Sequence, residues 1–325
     1  MAKRKSKISD NTNDASKKSI FTYLSESNPV ADTTEWLSTG MPLLDKLLSR
    51  GKGIPYGKII EIYGKEATGK TAFCHYLISR VQKEGGYGIY IDFESSFDSE
   101  QLDGYGIDKA RVLYSAPETI EEAFKGIFQI LDESKKYSPF VIVIDSVAAM
   151  VADAEKEDGD KAQVAIIPRI LSRTLRKLVV RLAGKKGFVI FTNQVRDKIG
   201  VMFGDKTSRP GGHALDFYAS VILQAYVKET LTKTVNSKKV SDAFVVSLTN
   251  KKNRKGIPKE STEIILSFDN GINLPLTMLN SLLDEKLVQK RGKFFVFDKV
   301  EYTREKFLAK IEETPDVFYK LFNNI

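Results

Sequence analysis

The chain has 325 residues, a formal net charge of +8, one cysteine and two histidines, and at about 100–200 residues per domain this length predicts two domains. The cysteine and histidine content excludes a disulfide framework and argues against a Cys/His zinc site, and it is typical of a reducing cytosol. The longest uncharged apolar runs are too short to cross a bilayer. The excess of basic over acidic residues is compatible with a polyanionic partner but does not require one.

The N-terminal segment 1–36 is predicted to lie apart from the main body. Residues 1–18 are polar and charged, a composition that predicts disorder. Residues 19–26 then bring four apolar side chains together on a short helical span: Ile20, Phe21, Tyr23 and Leu24. Such an isolated patch could dock on its own domain or on a neighbouring subunit, and the residues alone leave both readings open.

Strands and helices alternate from Gly57 onward. Apolar, β-branched runs predict strands at 59–63, 88–92, 141–145 and 188–193. Helical spacing of apolar residues predicts helices at 71–82, 120–134 and 167–182. Continuous apolar strands between helices are typical of an α/β fold with a parallel sheet that is covered on both faces.

The pattern changes after Tyr218. Segments 219–226, 244–250 and 262–268 are predicted strands joined by polar turns, which indicates an antiparallel extension of the sheet. A small α/β unit is predicted from 271 to 325, after a core of 37–270. Its elements are a helix at 276–287, a strand at 294–297, and helices at 304–312 and 315–322.

The strongest motif is the segment GKEATGKT at 64–71, which fits G-x-x-x-x-G-K-[ST] between a predicted strand and a predicted helix. Its glycines let backbone N–H groups turn toward phosphate oxygens, and the helix N-terminus adds positive potential. We expect the loop to bind ATP, with Lys70 on the β- and γ-phosphates and Thr71 on Mg²⁺. The predicted nucleotide contacts in the loop are Gly64, Lys65, Glu66, Ala67, Thr68, Gly69, Lys70 and Thr71.

Three carboxylates follow predicted strands at positions suited to phosphoryl transfer. Asp145 ends the strand at 141–145 and is expected to hold the water shell of the Mg²⁺. Hydrolysis also needs a group that positions water, and from spacing alone either Asp92 or Glu94 could serve. Cys74 and His75, on the helix after the loop, are predicted to pack in the core rather than to react.

A glycine-rich loop at 195–212 reads VRDKIGVMFGDKTSRPGG and carries four glycines and four basic side chains around the triplet Val201-Met202-Phe203. Cations that contact phosphates, next to apolar groups that contact bases, suit a single nucleic-acid strand. The alternative is a loop packed on its own core. On the helix before it, Arg169, Arg173, Arg176 and Lys177 form a basic face, which either lines the same groove or is simply solvated.

Together, the segments GKEATGKT, VIVIDSVAAM, FTNQVRDKIGVMFG and GGHALDFYAS resemble the bacterial RecA recombinases, and the similarity runs from about residue 38 to 310. The resemblance implies a RecA-type ATPase core whose N-terminal helix serves polymerisation. It also implies a helical filament on single-stranded DNA, ATP and Mg²⁺ held between subunits, and pairing with homologous duplex DNA in repair and the SOS response. Single-strand-binding and loading proteins are the further partners that it suggests, with no membrane.

The resemblance also assigns roles residue by residue. It makes Glu94 the catalytic glutamate in preference to Asp92, assisted by Lys70, and it makes Gln194 the link between the γ-phosphate and the DNA loop. Around the nucleotide it implies contacts from Asp98, Gln101, Asp145, Lys252 and Arg254, the last two reaching the ATP of the neighbouring subunit. The implied DNA loops are 155–165 and 195–213. The implied DNA contacts are Arg169, Ser172, Arg176, Arg196, Ile199, Gly200, Val201, Met202, Phe203, Gly211 and Gly212.

Several positions depart from the family pattern, among them Arg254, which stands where the family has a second lysine. Gln101 stands where the family has an adenine-stacking tyrosine, Asp216 where it has an interface lysine, and His213 follows the two glycines. These departures favour a divergent bacterial member or one encoded by a phage or mobile element. Two alternatives remain at this point: a ring-forming RecA-like motor such as a helicase, and a non-catalytic ATP-binding regulator of a recombinase.

Overall fold

The computed structural model describes residues 35–154, 166–197, 207–235 and 237–324. The predicted N-terminal tail and helix, the first predicted DNA loop, and the predicted contacts from Ile199 to Phe203 lie outside these residues. Within the described parts of the chain, no helix is long and apolar enough to cross a membrane.

The strands, in chain order, are β1 (Trp36–Leu37), β2 (Ile54–Pro55), β3 (Ile59–Gly64), β4 (Tyr87–Asp92), β5 (Val112–Ser115), β6 (Phe140–Asp145), β7 (Gly187–Gln194), β8 (Arg196–Asp197), β9 (Thr207–Ser208), β10 (Val221–Val235), β11 (Lys238–Asn253), β12 (Ser261–Ser267), β13 (Gly271–Ile272), β14 (Gln289–Arg291), β15 (Phe294–Phe297) and β16 (Val300–Tyr302). The α-helices are α1 (Pro42–Ser49), α2 (Lys70–Lys83), α3 (Ile120–Asp132), α4 (Ile166–Leu182), α5 (Ala214–Tyr218), α6 (Leu274–Asp284), α7 (Arg304–Glu313) and α8 (Pro315–Lys320).

A nine-stranded sheet forms the centre of the molecule, in the order β13-β12-β11-β10-β3-β7-β6-β4-β5. The strands from β10 to β5 in this order run parallel, whereas β11, β12 and β13 add antiparallel pairs beyond β10. Both expectations, a parallel core and an antiparallel extension, are confirmed. The carboxyl ends of β3, β4, β6 and β7 therefore meet at one edge, where ligands bind in open α/β sheets.

The apolar runs form central strands because both faces of the sheet are covered. Every residue of β6 is buried, and the alternate side chains of β6 enter two different clusters. One cluster contains Phe73 and Leu77 of α2, and the other contains Leu171 and Leu175 of α4. Burial of such side chains contributes about 1.5–3 kcal/mol each, which explains why the strand pattern was readable from sequence.

Strands β10 and β11 are longer than predicted. The hairpin of β10 and β11 continues as far as the pair Val235 and Lys238, well past the predicted end at 226. Between Lys228 and Thr234 most residues are exposed. Leu231 packs against a small buried cluster of Ala243, Val245 and Ile265, but one apolar residue gives no periodic signal. Cross-strand hydrogen bonding, rather than burial, holds this part together.

The C-terminal unit has a helical layer on a small sheet with the order β14-β15-β16, of which only β15 was predicted. Its core contains Phe295, Phe307 and Phe318. Asn273 caps α6 by accepting a hydrogen bond from the Leu276 N–H at 2.9 Å, so this helix begins two residues earlier than predicted. Gly271 and Ile272, predicted to open this unit, instead pair with β12 in the large sheet.

Candidate functional site

The phosphate loop follows β3 and ends where α2 begins. Gly69 has a φ of 80°, and a Cβ there would lie 2.7 Å from Leu266 Cδ2. At Gly64 a Cβ would lie 2.3 Å from the Ala225 carbonyl oxygen. Gly69 requires glycine for its left-handed backbone, and Gly64 requires it because a Cβ would overlap a backbone oxygen. Thr68 closes the turn by donating its hydroxyl to the Lys65 carbonyl at 2.9 Å.

Lys70 lies beneath this loop. Its Nζ donates to the carbonyls of Gly64 and Lys65 at 3.2 and 2.7 Å. Burial lowers the pKa of the Lys70 ammonium, and the nearby carboxylates of Asp145 and Glu94 oppose that shift. The Lys70 ammonium is partly buried and donates to loop carbonyls instead of to water. Phosphate oxygens could take the place of these carbonyls and would form stronger, charge-assisted hydrogen bonds with it.

Thr71 and Asp145 meet at the expected metal position. The Thr71 hydroxyl donates to Asp145 Oδ2 at 3.0 Å. Tyr90 donates to the same oxygen at 2.6 Å and Thr192 to Oδ1 at 2.5 Å, which fixes the buried carboxylate. A hydroxyl and a carboxylate are oxygen ligands of the kind Mg²⁺ takes beside phosphate and water, so these residues fit the ion. In the described ranges, no three His, Cys, Asp or Glu side chains form an all-protein metal site.

The two candidate acids after β4 have different surroundings. Asp92 is 1% exposed and accepts hydrogen bonds from the N–H groups of Glu94 and Phe97, both at 3.0 Å. Its carboxylate is therefore engaged in shaping the turn. Glu94 is exposed, and its Oε1 accepts from the Ser146 hydroxyl and from Gln194 Nε2, the latter at 3.3 Å. This geometry favours Glu94 as the group that positions water.

Cys74 and His75 are packed in the core, as predicted from sequence. Cys74 is fully buried and burial raises its pKa, which leaves it a poor nucleophile. The His75 ring contacts Tyr90, Phe97 and Tyr105 with centroid separations of 5.6–6.1 Å. Its buried Nε2 has no hydrogen-bond partner among the residues that the structure describes, and burial lowers the pKa of His75 to about 4.

His75 should therefore make the fold sensitive to acid. The pKa of His75 in the folded protein, about 4, lies below the ordinary value, so the folded state favours the neutral imidazole. The stability that goes with the neutral ring is fully present above about pH 6.5 and is lost as pH falls toward 4. We expect His75→Leu to reduce the pH slope of the unfolding free energy in that window by about 1.4 kcal/mol per pH unit. Urea unfolding at several pH values measures the slope. Phe124→Leu, which shortens another buried aromatic side chain and removes no titratable group, is the control and should leave the slope in place.

The predicted adenine contacts lie on an exposed turn that follows Glu94. Asp98 Oδ1 accepts from the Glu100 N–H at 2.9 Å and so caps a short 3₁₀ helix, Ser99–Tyr105. The Gln101 side chain is exposed on the same turn. The local hydrogen bonding gives Asp98 a capping role in the turn, and adenine contacts from Asp98 and Gln101 stay predictions.

Lys252 and Arg254 converge on the carboxyl end of α5. Lys252 Nζ donates to the carbonyls of Asp216 and Phe217, the second at 3.2 Å. Arg254 donates to the same Phe217 carbonyl at 2.8 Å. Burial, together with the Arg254 charge, lowers the pKa of Lys252. Phe217 itself is 70% exposed, so the two cations are held beside an apolar side chain that faces outward.

The predicted DNA-binding residues that the structure describes lie around α4. Leu171, Leu175, Leu178 and Leu182 are buried, while the basic side chains Arg169, Arg173, Arg176 and Lys177 are exposed and Ser172 is half-buried. Arg176 Nε donates to the Tyr218 hydroxyl at 3.2 Å. The exposed cations therefore line one face of α4, next to α5.

The two glycines that precede α5 pack against the same region. Gly211 and Gly212 have φ values of 85° and 66°, and Cβ atoms there would lie 2.8 Å from Val147 and 3.1 Å from Pro168. These contacts give the pair a steric role as well as the predicted role in DNA contact. Arg196 lies in β8, which pairs with β9 at the base of the second loop.

Several residues of the site were missed from sequence. Tyr90 and Thr192 hold Asp145 from the two strands that flank β6, and the order of parallel strands could have indicated them. Ser146, which contacts Glu94, directly follows Asp145. Contacts of Glu61 with Arg209 join positions 148 residues apart, and no local pattern predicts them.

Most of this chain is similar in sequence to proteins of one known family. The family model described as the RecA N-terminal domain matches residues 5–273. Protein RecA of Mycoplasmopsis pulmonis is 35% identical over 291 residues, covering 89% of this chain and 84% of that protein. Protein RecA of Clostridium novyi is 36% identical over 298 residues, covering 90% and 82%. Protein RecA of Lactobacillus acidophilus is 35% identical over 289 residues, covering 87% and 77%.

Proposed function

The chain belongs to the RecA family, and on that basis we propose that it is a recombinase that hydrolyses ATP in response to DNA and exchanges DNA strands. The observation that carries the proposal for this particular site is the contact of Gln194 with Glu94 at 3.3 Å. It joins the acid beside the phosphate loop to the last residue of β7, directly before the glycine-rich loop.

In the proposed mechanism, residues of this chain carry out the steps of hydrolysis. The N–H groups of the loop and the Lys70 ammonium bind the ATP phosphates, and Thr71 and Asp145 hold the cation. When held by Thr71 and Asp145, Mg²⁺ would supply positive charge that neutralises the phosphate oxygens. Glu94 accepts a hydrogen bond from the attacking water and holds it in line with the γ-phosphate. No covalent intermediate is needed.

The DNA interface would use the basic face of α4 together with the glycine pair and the loop after β7. Arg169 and Arg176 contact phosphates there, and the left-handed backbone at Gly211 and Gly212 allows a close approach of the strand. Neutralising phosphates releases counterions, so the affinity for single-stranded DNA should fall steeply with salt and depend little on sequence.

Neighbouring subunits complete the nucleotide site in this proposal. Lys252 and Arg254 are held on α5 by its last carbonyls, at an exposed surface next to Phe217. From there they would reach the ATP of the next subunit in a head-to-tail filament and add positive charge in the transition state. The ATP site then senses whether a neighbour is in place.

A strand-exchange assay tests the proposed function. Circular single-stranded DNA and homologous linear duplex, incubated with the protein, ATP and Mg²⁺, should yield nicked circular product. Lys70→Ala removes the ammonium that binds the phosphates and should abolish product formation. Product that forms equally with heterologous duplex, or without nucleotide, would reject a recombinase. A DNA-unwinding activity on forked duplex without a homologous strand would instead support a ring-forming motor.

A further inference from the structure

Arg209 stands at the return end of the loop that follows β7, and its side chain is enclosed by three partners. The guanidinium forms ion pairs with Glu61 of β3 and Asp216 of α5, and its Cζ lies 4.5 Å from the centroid of the Tyr63 ring. The Arg209 side chain is 20% exposed and that of Glu61 only 1%. A planar fork of donors can hold two carboxylates at once, which a single ammonium cannot do with the same geometry.

One set of contacts leads from Arg209 to the nucleotide site. Glu61 also accepts a hydrogen bond from Asn193 Nδ2 at 3.0 Å, and that amide donates to the Pro210 carbonyl at 3.1 Å. Asn193 directly precedes Gln194, whose amide contacts Glu94. Glu61 itself lies on the strand that ends at Gly64 of the phosphate loop.

A second set of contacts leads from Arg209 to the cations on α5. Asp216 accepts from Arg209 through its side chain, and its backbone carbonyl accepts from Lys252. The next carbonyl, that of Phe217, accepts from Lys252 and Arg254. A displacement of Arg209 would therefore disturb the helix that holds both cations.

We propose that Arg209 is a positioning residue that couples the DNA-binding loop to ATP hydrolysis, by transmitting the position of the loop's return end to β3 and to α5. This inference rests on the proposed function. Arg209 is joined through Pro210 to Gly211 and Gly212, so DNA that engages the glycine pair acts on the guanidinium. Its two carboxylate partners then carry that movement to the acid that positions water and to the cations that serve the neighbouring subunit.

A purely structural role predicts a different result. If Arg209 only neutralises the buried Glu61, its loss lowers stability and reduces DNA-independent and DNA-stimulated hydrolysis alike. A coupling role instead lowers the ratio of the two rates, because the nucleotide site stays intact while its response to DNA weakens. The ratio of the DNA-stimulated to the DNA-independent rate of ATP hydrolysis therefore separates the two roles. It is measured at saturating DNA, so that a weaker affinity for DNA does not change it.

Arg209→Lys is the direct test, because it keeps the charge and removes the fork. We expect the stimulation of ATP hydrolysis by saturating single-stranded DNA to fall about tenfold, within the range typical of coupling between sites, with the DNA-independent rate close to that of the wild type. Arg181→Lys is the matched control. Arg181 also pairs with a carboxylate, Asp132 at 3.2 Å, and lies 4.7 Å from the Phe128 ring centroid, where α4 packs against α3. It should retain full stimulation.

A second variant covers the possibility that Arg209→Lys does not fold. Glu61→Gln combined with Arg209→Gln removes both charges together, so no buried carboxylate is left without its partner, and it should show the same loss of stimulation. Wild-type stimulation in both variants, or a parallel loss of both rates, overturns the inference alone. Absence of stimulation in the wild type overturns the proposed function, and the inference with it.

Discussion

Replacing Glu94 with glutamine is expected to slow DNA-stimulated ATP hydrolysis by about 10²–10⁴-fold, the range over which a positioned acid–base group acts. The amide keeps the size of the side chain and can still accept from the Ser146 hydroxyl, but it carries no charge with which to orient water. ATP affinity should be retained, because the phosphate loop and Lys70 are unchanged. Steady-state phosphate release and binding of a fluorescent ATP analogue measure the two quantities.

Glu133→Gln is the control for this substitution. The Glu133 carboxylate is exposed, and among the described residues its one ion pair is with Lys136, at 3.1 Å. Such an exposed pair contributes little to stability. Hydrolysis by that variant should match the wild type. If the Glu94 variant also turned over ATP at more than half the wild-type rate, another group would have to position the water, and the choice of Glu94 over Asp92 would be wrong.

Loss of both Lys252 and Arg254 should be at least as severe. Cations that reach a transferring phosphoryl group from a partner subunit accelerate hydrolysis by about 10³–10⁵-fold, so the double alanine variant should be nearly inactive with DNA. Because both side chains also hold the Phe217 carbonyl, a thermal unfolding curve must accompany the assay. A folded but inactive variant is the expected result.

Mixing two inactive variants shows on which subunit these cations act. A Glu94→Gln subunit retains Lys252 and Arg254, and the double alanine subunit retains Glu94. If the two mix at random in a head-to-tail filament, about a quarter of the interfaces combine an intact acid with intact cations, and activity should return to about that fraction. A mixture as inactive as its components would mean that the cations serve their own chain.

The predictable parts of the molecule are those in which burial or backbone geometry imposes a residue pattern. The central strands were predictable because both faces of the sheet are covered, and the phosphate loop because Gly69 has a left-handed backbone and Gly64 has no room for a Cβ. The outer half of the β10–β11 hairpin was not readable, since its exposed residues carry no apolar periodicity. Edge strand β5 was missed because it is only four residues long and half exposed.

The candidate site was predictable only in part for a related reason. Spacing places Asp92 and Glu94 after the same strand, and their hydrogen bonds distinguish them: one carboxylate accepts two N–H groups of its own turn, while the other contacts Gln194. The resemblance to the family also indicates Glu94, but it does not give the physical reason for preferring Glu94 to Asp92. The pairing of Glu61 with Arg209 depends on the folded topology alone and could not be found from either source.

The rate of ATP hydrolysis by the wild-type protein, with and without single-stranded DNA, shows whether DNA binding controls the nucleotide site. We expect a slow rate without DNA and strong stimulation by DNA that weakens as salt is raised, because DNA binding depends on phosphate contacts. Hydrolysis at the same rate in both conditions would mean that the glycine-rich loop does not communicate with the nucleotide site, and the protein would then not be a DNA-dependent ATPase.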